Sequence, residues 1–384
     1  MSKDQFTEAH PLGQALVAGA SFAGLSTAFW LHQLGYQVTV VEVAASVRKG
    51  GTPVDIRDGT IEIAQRMGIL DEIKAHCLPP RPTCFLAPDG STLAVQEANA
   101  GDDIEHGFEI ERDRLLAILF EKIAGKVEII FGDSITSLHD DGEAVQVTFA
   151  SGPPRAFSLV FGCDGNHSAL RRMHFGAEAQ YSRFLGLYFA IAIIDKLVAQ
   201  PRTTQIFSIP GSTVMLNSYD DKTDVVFCFH EAQEIAYDYR DVDQQRRMIE
   251  KRFSGLGWQV PALLDAVREA DNFYFDKMSQ IRMPSWSRGR VALVGDAAYC
   301  ASPAAGMGGS LALVGAAALA DALRDHPHDF SSAFTQYQQG LAPFIDEVQA
   351  GAIEFGLDVF VPRTEQALRA RNAQLLETQA HTQE

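Results

Sequence analysis

The residues with the clearest chemistry lie near the N-terminus. Gly19, Ala20, Ser21, Phe22, Ala23 and Gly24 follow a short apolar run, and Glu42 closes the next apolar run, 23 positions after Gly19. A glycine at the first of these positions permits a tight turn out of a strand, and one at the last lets the following helix approach the sheet closely. The free N–H groups and positive dipole end of that helix hold a pyrophosphate without a basic side chain. An acidic residue about 20 positions further on accepts the hydroxyls of a ribose. A carboxylate there favours an unphosphorylated 2′-OH, which points to FAD or NAD rather than NADP as the resident nucleotide. Ser21 stands where the usual pattern has its middle glycine, adding bulk beside the pyrophosphate and a hydroxyl able to donate to it.

A second constellation lies late in the chain. The run RVALVGDAA, residues 290–298, reads as a buried strand ending on Gly295 and Asp296, followed by a loop over 299–309 and an Ala-rich helix over 310–323. Asp296 is placed to accept from a sugar-alcohol hydroxyl. Gly306, Gly308 and Gly309 let backbone N–H groups approach a ligand, and the helix dipole behind them favours negative charge, such as that near N1 and O2 of a reduced flavin. Between the two constellations, a strand over 157–162 delivers Asp164 at its carboxyl end, where ligands of open α/β sheets gather. Arg112 sits where a strand over 108–112 meets a helix over 113–123. Arg48 and Arg57 are candidates to reach a phosphate or a ring edge.

The elements that must hold these residues follow from periodicity. Residues 15–42 read as strand, helix, strand, and Gly50 and Gly51 open a loop before a short strand at 54–56. The prolines at 79, 80 and 82 and a hairpin turning at Asp89 and Gly90 mark an excursion over 76–107. From 176 to 282 short strands dominate, at 186–194, 205–209, 213–218 and 224–230, with one helix at 243–253. The aromatic residues of this region suit a flat ring substrate, and Phe189, Phe207, Met215 and Phe227 are the candidate contacts. Three further helices are expected, over 331–341, 343–354 and beyond Pro362, with Phe344, Ile345, Val348, Ile353 and Phe355 as the candidate apolar face.

Composition narrows the function. A formal net charge of −17 argues against nucleic acid or another polyanion as partner. Five scattered cysteines without C-x-x-C spacing read as free thiols in a reducing cytoplasm. No run approaches the ~18 apolar residues of a membrane span, and no histidine spacing suggests a metal.

Taken together, these motifs resemble the FAD-dependent aromatic-ring monooxygenases of the single-component class that includes para-hydroxybenzoate hydroxylase. The likeness rests on GASFAG with Glu42, on CDGNHSALRR at 163–172 and on VGDAAYCASPAAGMGG at 294–309. In length, in GGTPVDIRDG and in FEIERDRL, the chain is most similar to the branch of tetracycline-inactivating monooxygenases. The resemblance implies an α/β fold. A Rossmann-like FAD-binding domain would be assembled from 1–75, 108–175 and 283–340, a discontinuous substrate domain on a mostly antiparallel sheet from 76–107 and 176–282, and a C-terminal helical segment from 341–384. It implies that Arg112 contacts the FAD, that Asp164 lies near its pyrophosphate and the nicotinamide route, that Asp296 binds the ribityl chain, and that Pro303 and Gly306 to Gly309 line the isoalloxazine.

The activity implied is hydroxylation of a planar aromatic or polycyclic molecule with O2 and transient NADPH or NADH, through a C4a-hydroperoxyflavin on tightly but non-covalently bound FAD. No single catalytic acid or base is assigned. Ser21, Tyr299 (where histidine is common), Met307 and Ser310 depart from the family pattern. A cytoplasmic monomer or weak dimer is expected. The alternatives are a flavin dehydrogenase or reductase that inserts no oxygen, and a flavoprotein that sequesters its ligand. A halogenase is disfavoured, because Trp30, Trp258 and Trp286 form no W-x-W-x-I-P segment.

Overall fold

The computed structural model describes residues 12–47, 50–97 and 107–382. Arg48 therefore lies outside the described residues. A six-stranded sheet runs in the order Ser287–Arg288, Val291–Leu293, Leu159–Gly162, Gln14–Ala18, Gln37–Glu42, Glu128–Phe131, parallel except for its Ser287–Arg288 edge. Its inner strands are buried beyond their first residues, as strands covered on both faces must be. Helix Phe22–Gln33 lies against helices Arg112–Ile123 and Gly308–Asp325, and the last of these packs on helix Phe330–Gly351.

Three details of this half differ from the sequence reading. The expected strand 157–162 is divided at Ser158. Arg155–Phe157 closes a three-stranded meander with Val145–Phe149 and Ile135–Asp140, while Leu159–Gly162 enters the parallel sheet. Ser158 marks the change of partner, its N–H donating to the Gln14 carbonyl at 2.8 Å. Secondly, residues 330–351 form one helix rather than two. Pro343 removes a bond to the Gln339 carbonyl, but both residues are exposed, so water can serve that oxygen. The buried stripe Phe334, Tyr337, Leu341 and Ile345 continues past the proline, and the helix runs on through it. Thirdly, Phe344 and Ile353, expected on the apolar face, are exposed.

The second sheet has seven strands in the order Phe273–Ile281, Ser182–Ile194, Thr223–His230, Ser212–Ser218, Thr203–Ile209, Thr83–Leu86, Thr92–Gln96. All neighbours are antiparallel except Thr203–Ile209 with Thr83–Leu86. The hairpin of the 76–107 excursion thus extends the sheet built by the later strands. Two helices, Val242–Phe253 and Val260–Glu269, cover its outer face where one was expected. The second was legible: Pro261 in its first turn precedes Leu263, Ala266 and Val267, which are buried at helical spacing. The polar helix Glu365–Thr382 lies against Thr92–Gln96 and Thr203–Ile209. No helix among the described residues is long and apolar enough to cross a membrane.

Candidate cofactor and ligand site

The first turn is built on backbone proximity. Gly19 has φ +104°, and a Cβ there would stand 2.5 Å from the Cys163 carbonyl oxygen. A Cβ on Gly24 would stand 1.8 Å from the Gly19 carbonyl oxygen, so this glycine serves the turn itself more than the helix–sheet contact expected for it. Helix Phe22–Gln33 begins after Ser21, which makes no side-chain cap bond and so leaves the helix N-terminus open to a ligand. Glu42 is buried and accepts from the N–H of Ala20 at 2.8 Å and of Ala44 at 2.9 Å. Its carboxylate therefore ties the loop to the second strand.

Three other loops meet this turn. The Asp164 loop touches Gly19, the Asp164 Cα lying 3.3 Å from a Cβ built there. Asp164 Oδ2 accepts from the N–H of Leu170 at 3.0 Å, while its buried Oδ1 has no hydrogen-bond partner. The Asp296 loop meets the first helix through Gly295, whose added Cβ would stand 3.0 Å from that of Ala23. Burial pushes the Asp296 carboxyl above its ordinary range, and the Cys300 thiol and the charges of Arg112 and Arg171 oppose this. Arg112 spans the third approach: its Nη2 donates to Ser21 Oγ at 3.1 Å, and its guanidinium lies 4.7 Å from the Phe22 ring centroid. Gly51 makes room for it, since a Cβ there would stand 2.7 Å from the Arg112 Cδ.

Beyond Asp296 the loop carries strain and closeness of its own. Ser302, a buried non-glycine residue, has φ +81°. Pro303, Gly306 and Gly308 are exposed, and helix Gly308–Asp325 begins without a side-chain cap. Gly309 lies against strand Val54–Arg57, where a Cβ would stand 2.4 Å from the Val54 Cγ1, and Ser310 Oγ donates to the Asp55 carbonyl at 2.8 Å. Ser310 thus has a structural task that the sequence did not reveal. Tyr299 likewise points away from the site into the core, hydrogen-bonded to Tyr337 at 3.0 Å beneath Trp286.

Several positioning residues escaped the sequence reading. Arg171 is fully buried, and its guanidinium donates to the Ala297 carbonyl at 2.8 Å and the Asn166 carbonyl at 2.5 Å, joining the Asp164 and Asp296 loops. Burial lowers its pKa, opposed by Glu178 and Asp164. Gln280 and Gln349, both buried, bracket residues 299–301: Gln280 Nε2 donates to the Gln349 carbonyl at 2.7 Å, and Gln349 Nε2 to those of Ile281 and Cys300 at 2.9 and 3.1 Å. His167 connects the Asp164 loop to the second sheet through Asp276 Oδ2 at 3.0 Å and contacts Glu178 Oε1 at 3.1 Å. The bonds to Asp276 and Glu178 raise the imidazole pKa to about 9 against its burial. The doubled Arg171-Arg172 after the Asp-Gly pair was the one available signal; glutamines 69 residues apart offered none.

The second sheet turns one face toward these loops. Leu187, Phe189, Val226, Cys228 and Met278 cluster there with Ala304, Leu357 and Val361, and Met215 packs against them. Phe189 lies 5.7 Å from the Tyr274 ring, which is 51% exposed while its hydroxyl donates to Asp276 at 3.0 Å. Phe207 and Phe227 are a correction to the expected set of ring contacts. Side chains alternate along each strand, so both fall on the opposite face, where Phe207 stacks on Trp258 and Phe227 meets Phe253. Among the described residues no cluster of three or more His, Cys, Asp or Glu could hold a metal.

The loops fit FAD on three structural grounds: an open helix N-terminus, glycine cradles that a Cβ would fill, and the unpartnered Asp164 Oδ1. Comparison with known proteins agrees. The family model described as "FAD binding domain" matches residues 13–334. An uncharacterized protein of Mycobacterium tuberculosis (strain ATCC 25618 / H37Rv) is 37% identical over 341 residues, 87% of this chain and 91% of its own. A flavin-dependent monooxygenase of Legionella longbeachae serogroup 1 (strain NSW150) is 34% identical over 338 residues, 87% of this chain and 86% of that protein. The crystal structure of tetracycline destructase Tet(51) superposes with a TM-score of 0.84 at 31% identity, covering 95% of this chain and 96% of that one.

Proposed function

The chain belongs to the FAD-dependent monooxygenases, in the branch that contains the tetracycline destructases, and we propose that it hydroxylates a planar aromatic or polycyclic small molecule with NADPH or NADH and O2. The observation that carries this reading is the apolar sheet face of Phe189, Met215 and Tyr274 that neighbours Ala304 of the Pro303–Ala305 turn. Such a face accepts a flat ring and keeps water from it.

Within this reading the residues divide the work. The helix that starts at Phe22 would bind the pyrophosphate, Glu42 the ribose, Arg112 the phosphate region and Asp296 the ribityl chain, with Asp164 lying near the pyrophosphate and the nicotinamide route. Backbone N–H groups of Gly308 and Gly309 and the dipole of helix Gly308–Asp325 would stabilise negative charge on the ring system, while the Gly306 N–H closes the turn on the Pro303 carbonyl at 3.0 Å. Bound FAD supplies hydride acceptance from the nicotinamide and activation of oxygen. The protein's part is to orient the substrate and to hold the site dry. Five free cysteines fit a reducing cytoplasm, and a monomer or weak dimer is the assembly we infer.

The test is anaerobic stopped-flow reduction of the FAD-loaded protein by NADPH and NADH, alone and with planar phenols, polyketides and tetracyclines, followed by oxygen uptake with product analysis. A compound that accelerates flavin bleaching and is recovered with one added oxygen supports the reading. Fast reduction regardless of ligand, with no oxygenated product, would indicate a reductase. Flavin that binds but never bleaches would indicate a sequestering protein.

A further inference from the structure

Strand register aligns Thr204, Asn217, Asp224 and Ile193 in one row across four neighbouring strands, on the face that carries Met215 and Phe189. Thr204, Asn217 and Asp224 are all buried, an unusual run of polar groups beside the apolar row Ile206, Met215, Val226 and Ile191. Two of their needs are met within the row and its flank: Thr204 Oγ1 donates to Asn217 Oδ1 at 3.0 Å, and the Tyr219 hydroxyl donates to Asp224 Oδ2 at 2.9 Å. Asp224 Oδ1 has no hydrogen-bond partner although the residue is only 2% exposed. A buried carboxylate oxygen left unpaired opposes folding, so its retention calls for a donor. Burial pushes the Asp224 carboxyl up to about 6, while the Tyr219 hydrogen bond and the charges of Lys222 and Arg81 work against that rise.

The row borders the cofactor site. Ile193, the strand partner of Asp224, has its Cδ1 3.4 Å from where a Cβ on Gly50 would stand. The adjacent Gly51 abuts Arg112, and Lys222 pairs with Glu111, the residue before Arg112, at 2.9 Å.

We propose that Asp224 is a specificity-determining residue whose Oδ1 accepts a hydrogen bond from a phenolic or enolic hydroxyl on the edge of the bound ring compound, an assignment that rests on the ring-hydroxylating function above. A neutral hydroxyl suits the site better than an ammonium, because Lys222 and Arg81 already face this carboxylate. A site built around such an acceptor rejects the analogue that lacks the donor far more strongly than an apolar pocket rejects a missing methylene.

The experiment measures equilibrium binding to the FAD-loaded protein, without nicotinamide, by perturbation of the flavin spectrum. The probes are 2-hydroxyanthraquinone with 2-methoxyanthraquinone, and 1-naphthol with 1-methoxynaphthalene. The wild type should prefer each hydroxyl compound by on the order of 10- to 100-fold, and Asp224→Asn should abolish that ratio at unchanged FAD content. Asp224→Thr, which suits a strand, gives the same expectation should the asparagine variant fail to fold. A ratio near one in the wild type, or a ratio that survives both substitutions, overturns the assignment while leaving ring binding intact. Failure of every probe to bind either protein overturns the ring-hydroxylating reading and this assignment with it.

Discussion

A methyl group on Gly24 would stand 1.8 Å from the carbonyl oxygen of Gly19, so the first turn and the helix after it are folded onto each other with no side chain between them. Gly24→Ala must therefore displace backbone, not a flexible side chain. We expect a loss at or above the ~3 kcal/mol upper range of ordinary overpacking, together with loss of bound FAD. Flavin absorbance per protein and a thermal melt check both; retention of stoichiometric FAD would refute the close-approach account.

Tyr299 occupies a place where the family pattern has histidine, yet it serves the core. Its hydroxyl meets that of Tyr337, which in turn donates to the Leu293 carbonyl at 3.1 Å. Tyr299→Phe should cost about 0.5–1.5 kcal/mol, the usual worth of one hydrogen bond, and should leave FAD affinity unchanged. A weakened flavin complex in that variant would place Tyr299 back in the site.

The alternation of the second sheet separates two kinds of phenylalanine. Phe227, fully buried against Phe253, should cost about 3–5 kcal/mol as Phe227→Ala. Phe189→Leu should change stability much less and alter which ring compounds perturb the flavin spectrum. Paired melts and ligand titrations of the two variants test the assignment of faces, and reversal of the two outcomes would refute it.

His167 makes stability depend on pH. Its folded pKa is raised to about 9 by Asp276 and Glu178, so its contribution is complete below the ordinary value of 6.5 and is lost as pH rises through about 9. Burial, which alone would raise the Glu178 carboxyl, is outweighed by His167 and Arg171, which bring it to about 2. Its contribution is present above the ordinary 4.5 and fades as pH falls toward 2. Tyr237, Tyr274 and the Lys277 N–H also bond to Asp276, and Arg172 faces Glu178, so the site keeps partners when the histidine is neutral. The melting temperature of wild type over His167→Gln should be higher near pH 6 and converge with it by pH 10. A gap that grows with pH would exclude the protonated imidazole.

Local sequence determined the parts of this protein whose function depends on backbone. A strand, a glycine turn, a helix and a terminal acid within 15–42 need only neighbours in the chain, and the same holds for the Gly-rich loop after Asp296, so both were legible as local structure. The hairpin at 83–96 was legible too, because Asp89 and Gly90 set its turn.

What lies between those motifs was decided by tertiary structure. Ser158 ends one strand and starts the partner-change of the next only because two sheets compete for the chain there. Pro343 is tolerated because its freed carbonyl faces water while a buried stripe runs past it. Gln280 and Gln349 find each other across 69 residues. Phe189 and Phe227 have the same side chain and the same strand environment in sequence. A period of two then sends one toward the cofactor loops and the other into the core, and the sheet's orientation, which no single strand encodes, decides which is which.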